Sequence, residues 1–268
     1  MEVRALPMGT ITKAIEMLNY FSHRRPEIGL SEFVRLIGRD KATVHRHLSE
    51  LERNGFLEQH PITRAYRLGP AILRLSGVRE TTHPLRSVVR PIVTELAQEV
   101  GELVHFSLLQ GQTLSPVFHA DPKMHGTQVH FDEAELLPLH ATASGLALLA
   151  FAPKKLTDRV LAGPLERFTE STITDPDILR DLMEKVRETG CSKLEQGFDN
   201  EVSSHGAPIF GPDGELLGAL SIAVPHVRMN PEKSAAIREA LKRGVMKITR
   251  SIGGNIPPRH AGKWGTDA

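Results

Sequence analysis

The stretch "LSEFVRLIGRDKATVHRHLSELERNGFLEQ", residues 30–59, constrains the fold most, because two helical stripes stand on either side of a Gly-Arg-Asp break. Leu30, Phe33, Val34 and Ile37 recur at i, i+3, i+4 and i+7, the spacing of one buried helix face. Gly38 closes that helix in a tight turn, and Asp40 is placed to cap the next. The helix that follows turns Val44, Leu48 and Leu51 inward and stops at Gly55. Upstream, Ile11, Ala14, Ile15, Leu18 and Phe21 predict a helix from Thr10 to Phe21. Downstream, Phe56 to Gln59 and Tyr66 to Leu68 predict two short strands around "HPITRA". Helix, helix, tight turn, helix and hairpin together make a winged helix-turn-helix.

The same stretch is crowded with cations. If Val44, Leu48 and Leu51 face the core, then Lys41, Thr43, His45, Arg46 and His47 lie near the helix start or off that stripe, where a recognition helix meets the major groove. Arg64 at the hairpin tip is placed to reach a phosphate or the minor groove. A solvated charged surface is the competing reading. The place just after a tight turn and before a wing favours DNA, with Lys41 on a phosphate rather than a base. Charge agrees: residues 1–80 hold 13 Lys/Arg against 9 Asp/Glu, a net +4, while residues 81–268 hold 20 against 23, a net −3.

The chain has 268 residues, 40% of them hydrophobic, enough for two domains. One cysteine, Cys191, rules out a disulfide framework within the chain and reads as a small buried hydrophobe. No run of about 18 apolar residues occurs, and Met1 to Gly9 lacks the apolar middle of a signal peptide, so a soluble, cytoplasmic protein with no membrane partner is expected.

"LGPAILRLSGVRE" predicts a linking helix with Ala71, Ile72, Leu75 and Val78 on its apolar side, and "TTHPLR" marks a boundary near residue 83. Beyond it come a helix over Ile92 to Val100, two strands around Gly111, and a half-buried strand in which Thr127, Val129 and Phe131 alternate with Gln128 and His130. A helix follows over Thr142 to Ala152. An amphipathic helix over Asp175 to Thr189 turns Ile178, Leu182, Met183 and Val186 inward and stops at Gly190. "GAPIFGPDGELLGALSIAVP" reads as a hairpin, and Asn230 and Pro231 start a last helix to about Ile252. The expected division is 1–69 for DNA binding, 70–83 as linker helix, 84–254 as a second domain and 255–268 as a flexible tail.

Neither GxSxG nor HExxH occurs, and no catalytic residue, metal ligand or cofactor is expected. His140, at a loop-to-helix junction, reads as a structural hydrogen bonder. His105, His119, His125, His130 and His205 come from several segments that can converge on a ligand, without the HxxxH or HxH spacing among them that supports a metal.

Four segments, "ITKAIEMLNYF", residues 30–59, "LPLHATASGLALLAF" and "GAPIFGPDGELLGALSIAVP", resemble the IclR family of bacterial transcriptional regulators, in the family's order and over nearly the whole chain. The resemblance implies an α+β protein: an N-terminal winged helix-turn-helix, a linker helix used in dimerisation, and a C-terminal GAF-like effector domain with an antiparallel sheet. It implies three partners: double-stranded operator DNA, a small organic acid, aliphatic or aromatic, and further copies of the chain in a dimer or tetramer. Matching back from Pro208 places Ser204 at the family's Cys/Ser position. The acidic contact falls at Leu194, so Glu195 or Asp199 replaces it only with a loop shift. Ser221 keeps the first of two common pocket hydroxyls and Ala223 lacks the second. The expected pocket wall joins Ala143 and Ser144 at a helix start to Ser204, His205, Ser221 and Ala223, and favours a ligand bulkier than a three-carbon acid. Arg39 stands where the family usually has an apolar residue. Two other readings stay open here: a hydrolase or metal-dependent enzyme using the histidines, and an architectural DNA-binding protein without a ligand.

Overall fold

Gly38 adopts φ +67°, a left-handed geometry that only glycine takes at little cost, and this is what lets helix α2 (Leu30–Ile37) stop and α3 (Lys41–Arg53) begin within a few residues. Asp40 caps α3, its Oδ1 accepting from the Thr43 N–H at 2.8 Å. In this computed structural model, which describes residues 9–257, the chain divides into two units, Met1–Pro84 and Leu85–Ala268.

The first unit packs α1 (Thr10–Glu16), α2 and α3 on a hairpin of β1 (Leu57–Gln59) and β2 (Tyr66–Leu68), and ends in α4 (Pro70–Thr82). Phe33, Val44, Leu48, Leu57 and Tyr66 form its centre, with Phe33 edge-on to Phe21 and Tyr66. Tyr66 and Ile28 exchange backbone hydrogen bonds at 2.9 Å, stitching the chain ahead of α2 to the wing.

The expected first helix is shorter. After Glu16 it tightens into a 3₁₀ turn, Met17–Tyr20, and Met17 and Phe21 rather than Ile11 and Ile15 face the core. On α4, Ala71 is buried while Leu73, Leu75 and Val78 are exposed.

The second unit is a six-stranded antiparallel sheet in the order β5-β4-β3-β8-β7-β6. The strands are β3 (Leu103–Gln110), β4 (Thr113–Ala120), β5 (Leu137–Pro138), β6 (Ser192–Glu195), β7 (Val202–Phe210) and β8 (Leu216–Pro225). Helices α5 (Leu85–Val100) and α9 (Pro231–Ser251) cover one face through Val104, Phe106, Leu220 and Ile222. Gly244 makes that packing close, since a Cβ there would meet Leu220 and Leu96 at 2.8 and 2.9 Å. Helices α6 (Ala143–Phe151), α7 (Lys154–Leu161) and α8 (Pro176–Thr189) lie toward the other face. Asp175 and Asn230 cap α8 and α9. Period-two alternation sorts each strand between the two faces.

Two expectations fail. Residues 127–131 form no strand and belong to an irregular segment. On α8, Leu179 takes the buried place and Ile178 is half exposed, because only the residue one step on shares the face of Met183 and Val186. Strand β6 and helix α7 were not foreseen. Of the expected tail, Asn255 donates to Gly211 O at 3.0 Å and Ile256 packs on the core; residues 258–268, like 1–8, lie outside the described residues. Among the described residues, no helix is long and apolar enough to cross a membrane.

One ionic group ties the sheet to the entry of α9. Glu102, 2% exposed, accepts from Arg228 Nη2 at 2.6 Å and from Lys233 Nζ at 2.5 Å. Burial pushes its carboxyl up, and the charged hydrogen bonds from Arg228 and Lys233 outweigh burial, holding it below its usual 4.5. A carboxyl lowered by folding contributes stability above its unfolded pKa and loses that contribution as pH falls through the folded value. Glu102→Gln is therefore expected to cost about 3 kcal/mol at pH 7 in urea unfolding and to flatten the loss of stability below pH 4.5. Equal stability of parent and variant at pH 7 would refute this.

Candidate functional site

Helix α3 presents one outward flank. Lys41, His45 and Arg46 are exposed, and Thr43 is partly exposed with its N–H committed to Asp40. His47 departs from expectation. It follows Val44 by three residues, which places it on the buried stripe, and it is 5% exposed. Burial first, then the cations Arg46, Lys13 and Arg39, hold its pKa below 6.5. Arg64 sits at the wing turn with φ +59° and an exposed side chain.

In the second unit the strand register assembles what the sequence scatters. His119 pairs with His105, His105 with Ser221, Ser221 with Gly206 and Gly206 with Ser192. Cross-strand partners share a face, so these five form one transverse row over β4, β3, β8, β7 and β6. The row lies on the face that carries α6. A Cβ on Gly206 would stand 2.5 Å from Ala143 O and 2.7 Å from Ser144 N, so the helix start rests directly on β7. Ser192 Oγ fixes it by donating to Ala143 O at 2.6 Å, and Thr142 Oγ1 caps it by accepting from Gly145 N–H at 3.1 Å. The next row holds Ala223, Ser204 and Leu194.

Histidine ends of the row are covered by the segment after β4. The Phe131 ring stacks on His105, centroids 4.6 Å apart, and tilts over His119 at 5.2 Å. Glu133 Oε1 accepts from His119 N–H at 3.2 Å and lies 2.8 Å from His119 Nδ1, with Arg86 paired to the same carboxylate. His105 Nδ1 lies 3.1 Å from Ser107 Oγ. Full burial first, then the neighbouring His119, pushes His105 down to about 3, so its ring is a neutral hydrogen-bonding group. Ser221 Oγ donates to His205 O at 2.7 Å and keeps its lone pairs.

Ala143, Ser144, Ser204, Ser221 and Ala223 thus share one face. Three expected members do not join them. His205 pairs with Ile222 and points to the opposite face, its Nε2 2.8 Å from Ser234 Oγ on α9; burial first, then Lys193 and Arg238, brings it to about 4. Glu195, one residue past Leu194, is exposed and paired with Lys193 at 2.6 Å. Asp199 is exposed, its Oδ1 accepting from Glu201 N–H at 2.8 Å. The five histidines do not converge either: His125 lies 3.9 Å from Glu102, and His130 is exposed. His140 is tied to Glu166 O at 2.9 Å. Among the described residues, no cluster of His, Cys, Asp and Glu is arranged to hold a metal ion.

Ser107 and Phe131 were missed, and His105 and His119 were grouped with three histidines that lie elsewhere, although "LVHFSLL" carries the signal: Val104, Phe106 and Leu108 alternate with His105 and Ser107. A neutral, buried His105 is expected to give ring NMR resonances that stay flat between pH 8 and pH 5. A titration step for His105 in that range would show a solvated ring.

Comparison with known proteins covers both units. The model of the IclR helix-turn-helix domain matches residues 10–61, and that of the bacterial transcriptional regulator IclR C-terminal domain matches residues 80–250. The chain is 29% identical over 248 residues to the HTH-type transcriptional regulator KipR of Bacillus subtilis, covering 91% of this chain and 97% of that one. A crystal structure of an IclR transcriptional regulator from a Silicibacter species is 46% identical, with TM-score 0.85 over 94% of this chain and 99% of the other. An IclR homologue of Microbacterium hydrocarbonoxydans, crystallised with 4-hydroxybenzoate, shares the fold at 24% identity and TM-score 0.73, over 91% of this chain and 99% of that one.

Proposed function

Because this chain belongs to the IclR family of transcriptional regulators, we propose that its operator affinity is set by a small organic acid held against the transverse row of its effector sheet. The family assignment makes it a DNA-binding regulator with a C-terminal effector domain and not an enzyme. In this reading residues 1–69 bind DNA, 70–83 join two copies and 84–254 hold the effector.

The row His119–His105–Ser221–Gly206–Ser192 carries the effector reading. The first N–H groups of a helix have no intrahelical partner and attract an anion, and here that end rests on the middle of the row. Ser221, once its hydroxyl proton turns from the His205 carbonyl to the anion, and the neutral His105 complete the hydrogen bonds without adding charge. Ser204 and Ala223 border this row, and Ala223 leaves space. Phe131, His105 and His119 offer ring faces to an aromatic body. The Microbacterium homologue's 4-hydroxybenzoate joins the same two chemistries, a carboxylate and an aromatic ring. Glu195, Asp199 and His205 have no part in this site.

On the DNA side, Lys41, Thr43, His45 and Arg46 form the outward flank of α3 and Arg64 the wing contact. Leu73, Leu75 and Val78 leave α4 with apolar surface that a second copy covers. Effector binding then favours one arrangement of paired effector domains, which changes the spacing of two winged helices on a palindromic operator.

Three measurements test this. Lys41→Ala with Arg46→Ala is expected to weaken operator binding and reduce its salt slope by roughly one unit per lost phosphate contact; an unchanged slope would remove both from the interface. Ser221→Ala is expected to lower affinity for an aromatic carboxylate about ten-fold in calorimetry while DNA binding without effector persists. The same affinity in Ser221→Ala and His105→Phe as in the parent would move the pocket elsewhere. Sedimentation is expected to show a dimer or larger at micromolar concentration, and a monomer there would contradict the α4 interface.

A further inference from the structure

Between α1, the turn after α2 and the inner flank of α3 lies a pocket of about 160 Å³. Met17, Ile37 and Val44 form its apolar wall. Lys13 and Arg39 bring two cations to it, and His47 closes it from α3. The His47 ring is nearly fully buried, yet its Nε2 has no hydrogen-bond partner. Folded proteins rarely leave such a group unsatisfied, and a bound group that supplies the partner is one reason they do.

We propose that this pocket takes a phosphate of the DNA backbone, with the Nε2–H of His47 donating to one oxygen and Lys13 and Arg39 neutralising its charge. The inference rests on α3 being the helix that meets DNA. His47 lies one residue, about 100°, around the helix from Arg46, which points outward. A helix seated in the major groove has a sugar-phosphate strand along each side, so its flank meets phosphates where its crest meets bases. Arg39, in the turn just before α3, is exposed on that approach. The net +4 of residues 1–80 adds a general attraction for the same polyanion.

The charges facing the ring are Lys13 and Glu16 from α1, Arg39 from the turn, and Arg46 from α3. Burial and the three cations keep His47 neutral in the free protein. A phosphate beside the ring favours its protonated form, so duplex affinity acquires a component that grows as pH falls, until the free ring, held below its usual value, is itself protonated. Glu16 lines the pocket with the wrong sign for a phosphate and works against it.

The test uses the full chain and a labelled random-sequence duplex, since phosphate contact needs no particular sequence. Lys13→Ala and Arg39→Ala, both at partly or fully exposed positions, are each expected to weaken binding roughly three- to ten-fold. Together they lower the slope of log affinity against log salt by about one unit. Glu16→Gln strengthens binding, and His47→Gln loses the extra affinity gained at low pH. Inorganic phosphate shifts the His47 ring resonances in the parent and not in the Lys13→Ala, Arg39→Ala double variant, which keeps the test independent of whether His47→Gln folds. Unchanged duplex affinity and salt slope in that double variant would overturn the proposal. Phosphate-induced shifts of His47 alongside unchanged duplex binding would overturn it too, making this a pocket for a free anion. If Lys41→Ala with Arg46→Ala weakens binding while Lys13→Ala and Arg39→Ala do not, the pocket fails and the recognition helix stands.

Discussion

The rest of the effector unit depends on one close approach, the start of α6 lying on β7 where Gly206 has no side chain. Any Cβ there would stand within about 2.7 Å of the Ala143 carbonyl and the Ser144 nitrogen. Backbone lying directly against backbone does two things. It aims a helix N-terminus at the sheet, and it places that end over the row that holds Ser221 and His105. Ser192 and the Thr142 cap fix the helix laterally, so the geometry is set by hydrogen bonds of neutral groups. In the proposed effector site a carboxylate would meet oriented N–H groups and hydroxyls in place of a compensating cation.

The two units use charge differently. In the first, cations remain outward on α3 and around the His47 pocket, where a polyanion brings its own counter-charge. In the second, the site face is close to neutral, because burial keeps His105 uncharged, and the Glu102, Arg228 and Lys233 group is a strut away from the row. A buried charge is tolerated there only because its partners are held at hydrogen-bond distance. Coupling between two such units needs no charge transfer. In the proposed dimer it requires only that effector and DNA each prefer one arrangement of the two copies.

Local chemistry made much of the architecture legible. Gly38, Asp40 and Gly55 delimit α3, Gly190 stops α8, and Asn230 with Pro231 starts α9, because caps and left-handed turns act within a few residues. The residues 127–131 misled because alternation reports which way side chains point only once a neighbouring strand exists to pair with. That segment has none, and its Phe131 folds back over His105. Ile11 and Ile15 misled for a related reason: helical spacing marks an apolar side, whereas Met17 and Phe21 already fill the core.

The sequence by itself determined the order of elements, the winged helix-turn-helix, the two-unit division near residue 83, and the exposed cations Lys41, His45 and Arg46, all of which follow from short-range periodicity and turn chemistry. Tertiary structure alone decided which chemistry-bearing groups meet. His105, His119, Ser221, Gly206 and Ser192 are spread over 117 positions of sequence and become neighbours through strand register, which no spacing along the chain encodes. The same physics removed His205 from the site, since one step along a strand reverses the face, and turned His47 inward, since three residues along a helix carry it from Val44 back to the buried stripe.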